Sequence, residues 1–536
     1  MGIWPALVAS AQGHEEGAGS NGAPPDPALG FEQFESVRAH LHGWVDFTQL
    51  TTTPTQGNDI WGYVSPAGRE YALAGFDTVT AVVDVTDPDL PVIAVELDHA
   101  DSHWSDHRTY AEHLYVSNQT AGGVQVFDLA QIDSGTITEL APITFGGLDN
   151  EHTIALDETS GFLYTAGGNY GVGGTIAFDL TDPANPVYAG EWQDNYVHAL
   201  QVHTWDSGPD AGMQLAYVSG GTEGFQILDV TDKVNITLLA TLDYAPGGYT
   251  HQGWLDPDNR LFYLGDEGDE KAGIVPTTTT WVIDVSDRAA PFVASTFTNG
   301  NAAIDHNLMF RDGVVYEANY TSGLRLWDAA PDPLAPVEVG WFDTFPADDT
   351  TTFSGAWGVH VLPSGTVLVQ DINAGLFVIG VEDALLDAPD AFNLTGPPDG
   401  AFVSLPRTAL AWERPWGAWE QTVIVASDAA LTQVVAEGTV AADVTSVPLS
   451  GMALSACSTF WWSVTATNGI GDTATSARSF LTGPTGDLDG DGVVGQADAQ
   501  IFRRLLQKQN LAADFDGDGV VGAADRTIML ANAGPC

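Results

Sequence analysis

The chain has 536 residues, a hydrophobic fraction of 44%, and 71 acidic against 16 basic side chains, for a formal net charge of -55. That length implies three or more domains, and that apolar content supports packed cores and excludes a disordered chain. A surface this negative repels nucleic acid and anionic membranes, which makes both poor partners; it suits a salty or calcium-bearing medium whose cations screen the self-repulsion.

Residues 1–38 open with IWPALVASAQG, an apolar run followed by small residues, and continue rich in Gly, Pro and acids. They are expected to be a signal remnant and a disordered leader. No run of 18 apolar residues occurs anywhere, so no membrane span is expected. Only Cys457 and Cys536 are present, which excludes a disulfide framework and a thiolate metal cluster. A bridge between these two is compatible with the sequence, but spacing does not decide it.

Residues 39–385 are built from one repeated unit, most complete in Tyr249–Val293. Its mark is an apolar triplet, an Asp and a turn: AVVDVTDPDLPV (81–92), VQVFDLAQID (124–133), TIAFDLTDPANPV (175–187), FQILDVTDKVNI (225–236), WVIDVSDRAAPF (281–292) and LRLWDAAPDPLAPV (324–337). A seventh copy, GLFVIGV (375–381), has lost its Asp. A period of roughly 45–55 residues is that of a four-stranded propeller blade, so a mainly β chain with a seven-bladed β-propeller is expected. Asp84, Asp128, Asp179, Asp229, Asp284 and Asp328 are assigned to the turns, where a carboxylate bonds the following amides. LHGWVDF (41–47) is expected to complete the blade begun by GLFVIGV, closing the ring and removing an exposed sheet edge.

Each unit is led by a second element: WSDHRTY (104–110), EHTIALD (151–157), VHALQVH (197–203), THQGWLD (250–256), DHNLMFR (305–311) and, less regularly, GAWGVHV (355–361). Four consecutive units place His152, His198, His251 and His306 at one position, and Asp106, Gln252 and Asn307 follow at the next. Innermost strands line a propeller's channel, so two roles are open. The histidines and Asp106 hold a transition metal such as zinc, copper, iron or nickel, or each imidazole bonds a neighbouring blade's backbone. The acidic run Asp266-Glu267-Gly268-Asp269-Glu270 is expected to border the same face.

The segments YTHQGW, GDEGDE, AIDHNL, EANYTSGLRLWD and FSGAWGV resemble the choice-of-anchor B family, over about residues 40–385. The resemblance implies a propeller of LVIVD-type repeats on a secreted bacterial protein and carries no agreed activity. This chain departs from the pattern in its seventh unit and in a Thr-rich insertion at 273–280.

A Pro- and Asp-rich linker is expected at 386–398, then a β-sandwich at 399–483. There STFWWSVTATNGIGDTATSARSFLT resembles the last strands of a fibronectin type III domain, with Trp462, Val464 and Ala466 alternating against Trp461, Ser463 and Thr465. Residues 484–536 carry two matched loops. Asp487, Asp489, Asp491 and Asp498 occupy positions 1, 3, 5 and 12 of the first, and Asp514, Asp516, Asp518 and Asp525 those of the second. Val493 and Val520 stand at position 7, where a backbone carbonyl is offered. Hard calcium wants six to eight oxygens, and this spacing wraps them around one ion, so two calcium ions are expected. Each loop runs into a short helix, at 499–507 and 526–533. Loop then helix, duplicated, resembles a type I dockerin, a small α-helical EF-hand-like module. That resemblance implies docking to a cohesin or cell-surface protein, and polysaccharide as the usual target of such cargo. Gln496-Ala497 and Ala523-Ala524 depart from it by lacking hydroxyl residues.

The module order favours a secreted or cell-surface, non-catalytic binding or scaffold protein, monomeric because its sheet edges close and its surface is acidic. The alternatives are an extracellular polysaccharide-active or other hydrolytic enzyme, or a propeller with a His-lined metal site. No nucleophile elbow or HExxH motif is present, so no catalytic residue is assigned.

Overall fold

The computed structural model describes residues 33–535 apart from 382–388, 390, 406, 407, 414, 416, 417, 419, 442, 443, 451, 453, 468–471, 509–512, 514 and 516–519. Residues 1–32 of the leader expected at 1–38, most of the linker's first half, and Asp514, Asp516, Asp518 and Cys536 lie outside the described residues; the end of that leader is folded instead, since Ser36–Val37 pairs antiparallel with Val337–Phe342. The chain divides into two compact units, Met1–Leu385 and Leu386–Cys536.

In the first unit, strands of two to eight residues form antiparallel sheets, most of them in simple meander order. The sheet led by Thr250–Asp256, for example, continues through Leu261–Asp266, Thr280–Asp284 and Phe292–Phe297. Seven such sheets occur among the described residues. Their lead strands, Gly57–Val64, His107–Tyr110, Thr153–Asp157, Ala199–Thr204, Thr250–Asp256, Asn307–Arg311 and Ala356–Val361, each touch the next, and the last touches the first. This closed cycle is a β-propeller. The ring is completed by Ala39–Val45, which pairs antiparallel with Gly375–Val381 in the register Leu41↔Ile379 and Trp44↔Phe377.

The middle strands are apolar on both faces because each sheet is packed on both sides. Leu215, Ala216, Tyr217 and Val218 are all buried in succession. Between neighbouring sheets lies one apolar layer drawn from both. Ile60, Ala72 and Val83 meet Leu362, Leu368 and Val378 in one layer, and Tyr217, Phe225 and Ile227 meet Leu255, Phe262 and Ile283 in another. Burying aromatic and branched residues at roughly 1.5–3 kcal/mol each makes these layers the main cohesive term.

The six repeated aspartates end the third strands and accept hydrogen bonds from amides two residues on: Thr86 to Asp84, Ala130 to Asp128, Thr181 to Asp179, Thr231 to Asp229, Ser286 to Asp284 and Ala330 to Asp328, at 2.7–3.0 Å. Two of the turns that follow also join sheets, because Tyr115 and Tyr263 donate to the carbonyls of Pro183 and Pro333. Toward the axis, Trp61 and Trp254 come from lead strands of non-adjacent sheets, yet their rings lie 6.5 Å apart. Aromatic side chains therefore fill the channel at that depth.

Among the described residues the second unit holds two larger sheets, a two-stranded pairing of Val493–Val494 with Gly534–Pro535, and two helices. Leu394–Gly396, Ala409–Trp412 and Ser446–Pro448 make a three-stranded sheet; the larger one orders Ala401–Val403, Arg478–Thr482, Thr459–Thr467, Glu420–Ala426 and Val434–Ala441. Trp412, Leu410 and Leu394 of the first share one core with Val423, Trp462, Val464 and Phe480 of the second. Cys457 is disulfide-bonded. The helices span Gln496–Lys508 and Ala523–Ala531. Both begin three residues before the sequence expectation, because the last positions of each acidic loop are already helical.

His360, on the lead strand Ala356–Val361, packs its ring 4.4 Å from that of Trp61. Burial, helped by the Arg311 and Arg108 guanidinium groups, pushes its pKa down to about 3. The unfolded chain takes up this proton near pH 6.5, so the contribution to stability is whole above that pH. It is lost as the pH falls toward 3, by about 1.4 kcal/mol per pH unit. The urea midpoint, followed by tryptophan fluorescence, should therefore fall less between neutral pH and mildly acidic pH in His360→Gln than in the wild type. Equal falls would contradict this account.

Candidate functional site

The acidic loop after residue 486 is organised by its own carboxylates. Asp487 accepts from the amides of Gly490 and Gly492, Asp489 from Asp491, and Asp491 from Val493. These turns bring oxygens of Asp487, Asp489 and Asp491 within 4.8 Å of one another. Asp498, at position 12, is buried. It closes the loop by accepting from Leu488 and Asp489 at one oxygen and Gly495 at the other. The described part of the second loop repeats this closure: Asp525 accepts from Phe515 and Gly522, the same two loop positions. Val493 lies in a two-residue strand pairing with Gly534–Pro535, while Val520 is exposed. Phe502 and Met529 of the two helices meet Leu488, Val494 and Val521 in a small core. Three ionised carboxylates this close repel strongly in the absence of a cation, and all-oxygen donors suit calcium.

In the propeller, the four equivalent histidines form a continuous row. Ring centroids are 4.4 Å apart for His152–His198, 4.5 Å for His198–His251 and 4.4 Å for His251–His306. The row runs from partly exposed His152 to fully buried His306. His152 donates from Nδ1 to Gln119, and His198 Nδ1 lies 3.1 Å from the Tyr249 hydroxyl. At the buried end the row meets Glu267, whose Oε2 is 3.6 Å from His251 Nε2 and whose Oε1 is 3.7 Å from His306 Nε2. The Tyr320 hydroxyl donates to the same carboxylate at 2.6 Å.

The protonation of His306 is set by its partners. Nδ1 lies 2.6 Å from the carbonyl oxygen of Trp357, which can only accept, so Nδ1 carries the proton. Burial, reinforced by neighbouring His251, pushes the imidazole pKa down to about 3, so the ring is neutral. Its Nε2 lone pair therefore faces a carboxylate oxygen at a distance too long for a hydrogen bond. Two ligands about 2.1 Å from one ion stand roughly 3–3.6 Å apart. His251, His306 and Glu267 thus have the donor set and spacing of a two-histidine, one-carboxylate centre, and the backbone bond at Nδ1 is the usual second partner of a ligating histidine. Gly265 is required nearby, since a Cβ there would lie 2.9 Å from the His306 carbonyl oxygen and 3.0 Å from an Asp305 oxygen.

The sequence profile of the dockerin type I domain matches residues 485–532, the span of both loops and helices. Residues 485–532 are a dockerin type I domain. Dockerin domains bind calcium and cohesin modules, and the Asp487, Asp489 and Asp491 cluster fits a calcium ion. No curated protein sequence matches the chain. Among solved structures, a Lactobacillus plantarum protein is similar at 13% identity and TM-score 0.41, covering 60% of this chain and 92% of its own. Kuenenia stuttgartiensis hydrazine synthase is similar at 14% and 0.43, covering 63% and 100%. The Cps50 (Swd1) β-propeller domain of Myceliophteria thermophila is similar at 12% and 0.42, covering 64% and 98%.

Asp106, grouped by position with the histidines, is not brought to the Glu267 end of the row. It pairs with Arg108 and accepts from the amides of His107 and Ile154, so it ties two lead strands together. Periodicity singles out the histidines because they recur, and the acidic run 266–270 is expected to border the same face; which of its carboxylates meets the row, and that Tyr320 joins it, only the fold decides.

In the dockerin domain Asp498→Ala removes the acceptor for three loop amides. Leaving buried amides unsatisfied costs about 1–3 kcal/mol. Calcium affinity by titration calorimetry should fall at least about tenfold, a change of ~1.4 kcal/mol. An unchanged affinity would remove Asp498 from the loop's architecture.

Proposed function

We propose that this chain is a secreted, non-catalytic scaffold or binding protein that attaches through its dockerin domain and presents a seven-bladed, choice-of-anchor B-type propeller. The convergence of Asp487, Asp489 and Asp491 in a loop closed by Asp498, inside the dockerin span, carries this reading. Calcium in both loops orders a segment that has little core of its own. The two-sheet domain is a fibronectin type III-like spacer, and the monomer binds a cohesin-type or cell-surface protein. Gln496-Ala497 and Ala523-Ala524 make its partner one that does not depend on hydroxyl contacts at those positions.

The test is binding of the full chain to immobilised type I cohesin modules in calcium and in EDTA. Binding should appear in calcium, vanish in EDTA and be lost in the Asp487→Ala/Asp489→Ala variant. Binding indifferent to EDTA, or none to any cohesin, would overturn the attachment reading.

A second reading rests on the neutral His306 Nε2 aimed at Glu267: the propeller holds a borderline divalent ion such as zinc or iron. Three protein ligands leave an open coordination position, the arrangement of catalytic rather than closed structural sites. Elemental analysis of the full chain should find one transition-metal equivalent, lost in His251→Ala/His306→Ala while the β-sheet circular dichroism is unchanged. Equal metal content in both proteins would sink it.

A further inference from the structure

Immediately behind Glu267 lies a second group of acidic side chains that neither attachment nor the histidine row uses. Asp269, Glu270 and Asp305 present oxygens that all fall within 4.8 Å of one another, and their residues are 0%, 5% and 2% exposed. They belong to different sheets. Asp269 and Glu270 follow the strand Leu261–Asp266, and Asp305 precedes Asn307–Arg311. Asp266, also buried, adjoins them through its amide, which donates to Asp305 Oδ2 at 2.8 Å. Asp266 itself is satisfied, accepting from the Gly248 and Tyr249 amides and the Tyr244 hydroxyl.

The other three are not. Both oxygens of Asp269, Oε2 of Glu270 and Oδ1 of Asp305 are buried without a hydrogen bond of good geometry, although Glu270 and the Trp281 indole lie close enough to Asp269 to offset part of the upward push of burial on its carboxyl. No Lys or Arg is ion-paired with any of them among the described residues. Isolating a carboxylate from water without a partner costs several kcal/mol, and three together compound the cost by mutual repulsion. Such a cluster is stable when a cation or shared protons neutralise it. Proton sharing alone accounts for a pair. It does not account for a third carboxylate brought in from another sheet with an unpartnered oxygen facing the pair.

The surrounding chain is built to hold this geometry. The Thr-rich insertion at 273–280 folds back so that the Thr279 amide donates to Glu270 Oε1 at 2.9 Å. Its neighbour Thr278 bonds the Asn301 carbonyl through its amide and the Ala303 carbonyl through its hydroxyl, holding the segment that leads into Asp305. The insertion thus clamps both halves of the cluster.

We propose that Asp269, Glu270 and Asp305 form a calcium site inside the propeller, separate from the dockerin loops. All donors are carboxylate oxygens, which select a hard cation, and the unpartnered oxygens supply at least the first ligands of a calcium shell. Because Glu267 and His306 are neighbours of its ligands in sequence, the ion braces both segments that form the buried end of the histidine row.

The test uses the full chain with both dockerin loops disabled by Asp487→Ala, Asp489→Ala, Asp514→Ala and Asp516→Ala. Calorimetric titration with calcium should still show one binding event, and calcium should raise the propeller's melting temperature. Adding Asp269→Asn and Asp305→Asn should abolish both effects, while the variant keeps its β-sheet signal in EDTA. Terbium should replace calcium and luminesce on excitation of tryptophan, since Trp281, in the strand Thr280–Asp284, lies beside Asp269. This signal needs no substitution within the cluster, so it remains decisive if the Asn variant does not fold. No calcium binding and no terbium luminescence in the loop-disabled chain would overturn the proposal. So would calcium binding that persists in the folded Asn variant.

Discussion

Closure of the sheet cycle is the constraint on which the rest of the first unit depends. Ala39–Val45, near the start of the described residues, pairs with Gly375–Val381 at the far end of the first unit, while the lead strands touch in a closed cycle, so each sheet has a neighbour on both sides. Closure removes free edges that would otherwise template aggregation. It also aims every lead strand at one axis. Residues that recur at one position of each unit become neighbours in space, which is why His152, His198, His251 and His306 stack into a row although about fifty residues separate each from the next.

The same geometry concentrates charge where it is least comfortable. A net charge of -55 is easily carried on a wetted surface, but Glu267, Asp269, Glu270 and Asp305 are carried inside. Water cannot screen them there, and the low local dielectric raises the cost of each unpaired carboxylate. Burial and mutual repulsion accordingly push the Asp305 carboxyl well above the usual range and Glu270 up to about 10. Adjacent residues in one short run face opposite ways: Glu267 toward imidazoles and a tyrosine hydroxyl, Asp269 and Glu270 toward other carboxylates. One run therefore offers a borderline-metal environment and a hard-cation environment a few residues apart.

The dockerin domain solves its electrostatic problem differently. Two of its loop carboxylates, Asp489 and Asp491, are exposed to water, while Asp487 and Asp498 are buried. Their spacing is maintained by backbone amides rather than by an apolar cavity. Within its unit the loop also leans on the two-sheet domain, since a Cβ on Gly492 would lie 2.9 Å from the ring of Phe402. Gly492 has φ +85°, so position 6 needs glycine both for its backbone and for this contact.

What the sequence determined by itself were the features that repeat or that act locally. The Asp turns are local, each carboxylate bonding an amide two residues away, so Asp84 and its five counterparts were legible from spacing. The dockerin loops were legible for the same reason, since ligands drawn from one twelve-residue stretch leave a readable interval. The position of the histidines was legible because it recurs. Tertiary structure decided which of them meet a carboxylate. Glu267 and Asp269 follow a strand of one sheet while Asp305 and Tyr320 flank strands of the next, at intervals with no period, and Asp106 shares the repeat yet is held by Arg108 and the Ile154 amide. A side chain's partners across a closed ring depend on strand register and depth along the axis, and neither is written in the spacing of any one segment.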